Sequence, residues 1–213
     1  MTIRASIAAA LAALALAMPA TAQDVAGRFD YYVLSLSWSP SWCDAQGRAE
    51  GSEQCAPQRR LGFTVHGLWP QYENGWPQDC RTDARDPSRR ETRNMADIMG
   101  TPGLVWYQWK KHGRCSGLSS QDYFALTRKA AADVHLPQVL TRLSRDVTLP
   151  ANVLEDAFIE ANPDMTRDGI TVTCRDRALQ EVRICLTRDL APRDCAPDVA
   201  RDCRGSMLMP APE

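Results

Sequence analysis

No cysteine in this sequence is followed by another three positions later, so the paired spacing of zinc ribbons is missing. Charge of one sign is also lacking. The 25 Lys and Arg against 26 Asp and Glu leave a formal net charge of −1. That excludes a basic chain that coats nucleic acid by bulk charge, but not an enzyme with a local positive cleft. The chain has no internal repeat, no low-complexity linker, no Gly-rich phosphate loop and no nucleophilic Ser or Cys signature. Past the first two dozen residues, no stretch is long and apolar enough to span a bilayer. Only three histidines occur, so acid–base chemistry would rest on very few residues.

What is present is an ordinary globular balance. Hydrophobic residues make up 44% and charged residues 24% of 213, which suits one domain and excludes a disordered or collagen-like chain. Met1-Thr2-Ile3-Arg4 is a short positive start, Ile7 to Met18 is an Ala/Leu-rich apolar run, and Pro19-Ala20-Thr21-Ala22 supplies the small residues a signal peptidase reads. Residues 1–22 are therefore expected to be a secretory signal peptide and residues 23–213 the mature domain. Its brevity and Ala-rich core suggest a bacterial export signal, and hence a periplasmic or secreted protein.

All eight cysteines lie in the mature part, where exported thiols oxidise. Four disulfides are expected, with neither metal nor cofactor, although eight cysteines allow 105 connectivities. Locality favours Cys43–Cys55 and a nested pair, Cys185–Cys195 inside Cys174–Cys203, leaving Cys80 and Cys115 for each other.

Alternation over residues 29–38 predicts a strand with one greasier face, ended by Ser39-Pro40-Ser41. Residues 43–60 read as a stapled loop, Leu61 to Val65 as a second short strand, and 70–93 as a long loop. Val105 to His112 has helical spacing, with Gly113 as its cap. Further helices are expected near 120–134, 137–145 and 151–161, and strands at 170–174 and 182–186. Strands and helices mix without a βαβ rhythm. The expected fold is a single α+β domain: a central antiparallel sheet with several helices, stapled by disulfides.

Two segments carry chemistry. In FTVHGLWPQ, His66 stands at a strand end, Gly67 permits close backbone approach and Trp69 offers a flat apolar face. The bland alternative is a structural histidine beside a core tryptophan. In VWYQWKKHGRC, helical spacing places Gln108, Lys111 and His112 on one face. Two imidazoles and a lysine without metal-ligand spacing suit phosphoryl transfer by acid–base catalysis. His135 reads as a surface histidine. Arg81, Arg85, Arg89, Arg90 and Arg93 read as a solvated loop, because Asp83, Asp86 and Glu91 partly cancel them.

FTVHGLWPQ and QWKKHGRC resemble the two active-site segments of the ribonuclease T2 family, which centre on HGLWP and on H-E-W-x-K-H-G-x-C. FDYYVLSLSWSPSWC and EVRIC are similar to that family's first and last strands, so the likeness runs from about residue 29 to 203. The resemblance implies an exported, metal-independent endoribonuclease, a monomer that cleaves single-stranded RNA with little base specificity to 2′,3′-cyclic phosphate ends. It implies that His112 deprotonates the 2′-hydroxyl, His66 protonates the leaving 5′-oxygen and Lys111 stabilises the pentacovalent intermediate. Trp69, Trp76, Tyr107 and Gln71 would contact the substrate, the aromatic rings by stacking on bases.

The chain departs from the family pattern twice. Tyr107 replaces a helper histidine and Gln108 replaces the catalytic glutamate. A glutamine exchanges no proton at working pH but can still donate to a phosphate oxygen. Hence the alternative to an active enzyme is a relative that binds RNA without cutting it.

Overall fold

The computed structural model describes residues 24–212, so the expected signal peptide lies outside the described residues. Six strands form one sheet: β1 (Tyr31–Trp38), β2 (Phe63–Gln71), β3 (Val147–Pro150), β4 (Ile170–Arg175), β5 (Ala178–Leu186) and β6 (Ser206–Met209). Their order is β2-β1-β5-β6-β3, with β4 also on β5. Every pairing is antiparallel except a single parallel contact, Ala178 with Leu208. The α-helices are α1 (Ser39–Trp42), α2 (Arg89–Met99), α3 (Pro102–Lys111), α4 (Ser120–Asp133), α5 (Gln138–Thr141) and α6 (Ala151–Ala161).

Strand β1 is buried on both faces. Tyr32, Leu34, Leu36 and Trp38 join the main core, which also takes Val65, Leu68, Trp109, Tyr123 and Phe158. Tyr31 and Val33 face the other way, into a smaller cluster with Cys185 and Ala196 against which Trp69 packs. So β1 carries no solvent face, and the expected greasy/polar alternation gives way to two cores.

Four expectations are corrected. Strand β2 does not stop at Val65 but runs on to Gln71. Gly67 and Pro70 look like breakers, yet β2 is an edge strand, where a proline's missing N–H costs no ladder bond. The loop after β2 ends at Ser88. There, Ser88 and Glu91 form a capping box that starts α2 within the Arg-rich stretch. Gly113 does not cap α3 in a left-handed turn; it opens a short 3₁₀ turn, and a Cβ there would stand 2.7 Å from both the Trp109 and Tyr123 side chains. The polar stretch 43–60 is not plain loop but a chain of short helical turns closed by Cys43–Cys55.

All eight cysteines are paired, as Cys43–Cys55, Cys80–Cys115, Cys174–Cys203 and Cys185–Cys195. The Cys80–Cys115 bridge ties the segment after β2 to the end of α3, and the Asp79 N–H donates to the Lys111 carbonyl beside it (2.8 Å).

Candidate active site

A bulge in β2 builds the first half of the site. Leu36 pairs with Val65 and Ser35 with Gly67, which leaves His66 without a partner on β1. In a regular strand, residues three apart point to opposite faces. The extra residue lets Val65 and Leu68 both enter the main core, while His66 and Trp69 both reach the other side. Gly67 is needed here because a Cβ would stand 2.3 Å from Trp69 Nε1 and 2.6 Å from Gln108 Oε1.

Helix α3 supplies the second half. Thr101 caps its start by accepting the Leu104 N–H, and Pro102 sits in the first turn, where its missing N–H costs nothing. Trp109 anchors the helix in the core, and its Nε1–H donates to Asp86 (2.9 Å). Gln108 (1% exposed) and His112 (8%) then face β2. The Trp69 Nε1–H donates to Gln108 Oε1 at 2.7 Å, and the Trp69 ring lies 5.2 Å from both the His66 and the His112 rings. One tryptophan ring thus packs against both imidazoles. Lys111 stays partly exposed, with Nζ 3.3 Å from the Tyr107 hydroxyl.

The two imidazoles sit in different surroundings. Burial, then the neighbouring charges of Lys111 and His66, push His112 down to about 3. Its Nδ1 is buried and makes no hydrogen bond among the described residues. His66 is about a third exposed, and its Nδ1 lies 2.5 Å from Glu181 Oε1. Burial works against the Glu181 charge, yet His66 and Arg183 together hold its carboxyl at about 2.

Glu181 is the residue that sequence reasoning missed. It stands opposite Ser37, and Arg183 opposite Ser35, on the face of β5 that the bulge turns His66 toward. In the sequence it lies within EVRIC, which resembles the family's last strand, and nothing in that run marks the Glu as a partner of His66.

Beside His66 and Glu181 opens a cavity of about 430 Å³, with Trp42, Leu104 and Leu179 among its apolar walls and Ser37 and Gln180 among its polar ones. Two expected residues are not brought to this cluster. Gln71 is buried, with its amide donating to the Pro70 carbonyl. Trp76 stands 53% exposed on the irregular segment after β2, without a ring contact to the site among the described residues. Tyr107 lies on the exposed side of α3, reaching the site through Lys111.

These groups give a pH dependence of stability. The unfolded chain binds a proton at His112 near the ordinary 6.5, the folded chain only near 3. Stability is therefore complete above about 6.5 and lost as pH falls toward 3. Glu181 adds stability that is present above its ordinary 4.5 and lost as pH falls through 2. The midpoint of thermal unfolding should drop by about 5–10 °C between pH 6.5 and 4.5. In His112→Phe that part of the curve should flatten while the fall below 4.5 persists. An unchanged slope would show that His112 titrates normally in the fold.

Two imidazoles in unlike surroundings pack against one aromatic ring, with a lysine at the rim. The model of the "Ribonuclease T2 family" matches residues 29–195. A "Ribonuclease" of Aeromonas hydrophila is 36% identical over 172 residues, covering 79% of this chain and 76% of that protein. Among solved structures, the "RNase-related protein from Calystegia sepium" shares the fold at a TM-score of 0.68 and 23% identity, over 87% of this chain and 99% of that one. RNase NT, solved in complex with 5′-AMP, shares it at 0.61 and 21%, over 86% and 99%. The chain belongs to the ribonuclease T2 family and is an endoribonuclease of that type.

Proposed function

We propose that the mature chain, residues 23–213, is an exported endoribonuclease that cleaves single-stranded RNA by transesterification, without a metal. The observation that carries the reading is that His66 and His112, from two separate elements, both pack against the Trp69 ring. His112, which burial keeps in its neutral form, is the base. It takes the 2′-hydroxyl proton as the 2′-oxygen attacks phosphorus. The bond from phosphorus to the 5′-oxygen breaks, and that oxygen takes a proton from His66. The products are a 2′,3′-cyclic phosphate and a free 5′-hydroxyl. Lys111 and the Gln108 amide meet the charge that builds on the phosphorane oxygens.

The cavity beside His66 receives a base. Its largely apolar walls favour stacking over hydrogen-bond readout, which supports low base specificity. Trp69 and Tyr107 supply aromatic surface at the rim. The leader at residues 1–22 and the four disulfides support a periplasmic or secreted location. The test is to incubate the mature protein with RNA in excess chelator and to analyse the ends. Cyclic phosphate ends are expected. Cleavage that needs added divalent metal would overturn the mechanism, and RNA binding without cleavage would overturn the enzyme reading.

A further inference from the structure

We propose that Glu181 is a positioning residue for His66: its carboxylate fixes Nδ1, turns Nε2 to the substrate and supplies the counter-charge of the imidazolium. The inference rests on the reading of His66 as the general acid. In this chain, the active-site carboxylate comes from strand β5, because helix α3 offers only the uncharged Gln108.

Three observations carry it. First, both oxygens of Glu181 are engaged. Oε1 lies 2.5 Å from His66 Nδ1, and Oε2 accepts from Arg183 Nε (2.8 Å) and Nη2 (2.7 Å). The carboxylate cannot swing away from the ring without breaking the arginine pair. Second, Glu181 is 2% exposed while His66 remains partly open to the cavity. A buried carboxylate is costly unless it is fully paired. Here its pairing joins a partly exposed arginine on one side to a substrate-facing imidazole on the other. Third, the β2 bulge places His66 on the face that Glu181 and Arg183 occupy. An ionised carboxylate only accepts, so Nδ1 must carry its proton toward Glu181. Nε2 is then the nitrogen that gains and gives a proton.

Other charged groups stand nearby: Arg175, Asp176 and Asp44 line the cavity that His66 borders, and His112, with Lys111 next to it, feels the His66 charge from the end of α3. Arg183 stacks over Trp69 at 5.3 Å while it holds Glu181. Glu181 is the carboxylate in direct hydrogen-bond contact with the ring.

The test is Glu181→Gln, which keeps size and an accepting oxygen but removes the charge. Hydrolysis of a dinucleoside monophosphate should be followed against pH. An imidazolium without its counter-charge gives up its proton more readily, so the limb on the alkaline side should move to lower pH by about one unit. The kcat should fall about 10-fold with KM little changed, and Glu181→Ala should fall about 100-fold. A second readout does not need activity. Nitrogen-resolved NMR of the wild type, with His66 signals assigned from His66→Phe, should show the neutral ring protonated on Nδ1. A neutral ring protonated on Nε2, or an unmoved alkaline limb in Glu181→Gln, would overturn the proposal. If the wild type cleaves nothing, the enzyme reading fails, while the tautomer still decides the role of Glu181.

Discussion

Replacing His112 by Phe should lower kcat/KM for RNA by about 10²–10⁴-fold, and His66→Phe should do the same, because each removes one positioned proton-transfer group. In the proposed mechanism the two act in one transition state. The double variant should therefore lose much less than the product of the single losses. Binding should hold. In His112→Phe, Trp69, Lys111 and the cavity walls are untouched, so RNA affinity measured in that variant should stay within a few-fold of wild type. Folding should also hold in His112→Phe, whereas His66→Phe leaves the buried Glu181 carboxylate with Arg183 alone and should lower stability. The His112 ring is 8% exposed and lies against Trp69. A phenyl ring keeps that packing and removes a buried Nδ1 that makes no hydrogen bond among the described residues. A variant that keeps more than a tenth of the wild-type rate at either position would remove that histidine from the mechanism. Steady-state kinetics beside a binding isotherm separates the two effects.

The two halves of this site differ in how far local pattern could show them. His66 and His112 stood out because histidine is rare in the chain and each sits beside a glycine and a tryptophan in a short run. Helical spacing placed Gln108, Lys111 and His112 together, and the structure keeps Gln108 and His112 on the buried side, with Lys111 at the rim. The disulfide pairing followed from locality. The bulge did not show, because alternation across β2 is broken by the one extra residue that makes the site work. Read without it, the segment looks like a strand that ends at Val65. Glu181 was hidden for a related reason: its cross-strand neighbours Ser37 and Thr173 and its partner His66 all lie far away in the sequence. The short strands β3 and β6 pair with each other across about 60 residues, and four-residue runs give no period to count. Helix α2, in contrast, carried a readable signal in Ser88 and Glu91 that the surrounding arginines obscured.

Gln108→Glu should move the acidic limb of the rate–pH profile upward by about one to three pH units. The sign follows from His112. Burial, Lys111 and His66 now disfavour its charged form and hold it at about 3. Gln108 lies one turn earlier on the same helix, buried, with its amide oxygen accepting from Trp69. A carboxylate in that place can accept the same Trp69 hydrogen bond, so the geometry survives while a negative charge arrives beside the imidazole. The imidazolium is then favoured, His112 takes up its proton at higher pH, and the base form is lost sooner on acidification. At the optimum the rate should equal or exceed that of the wild type, because a protonated carboxyl can donate to the phosphorane where the amide now does. Thermal stability should fall slightly above neutral pH, since a buried carboxylate is poorly solvated. An unmoved acidic limb would show that position 108 does not couple to His112. An inert wild type whose Gln108→Glu variant cleaves RNA would instead mean that the amide has turned a nuclease site into one that only binds, with the rest of the machinery, including the Glu181–His66 pair, kept intact.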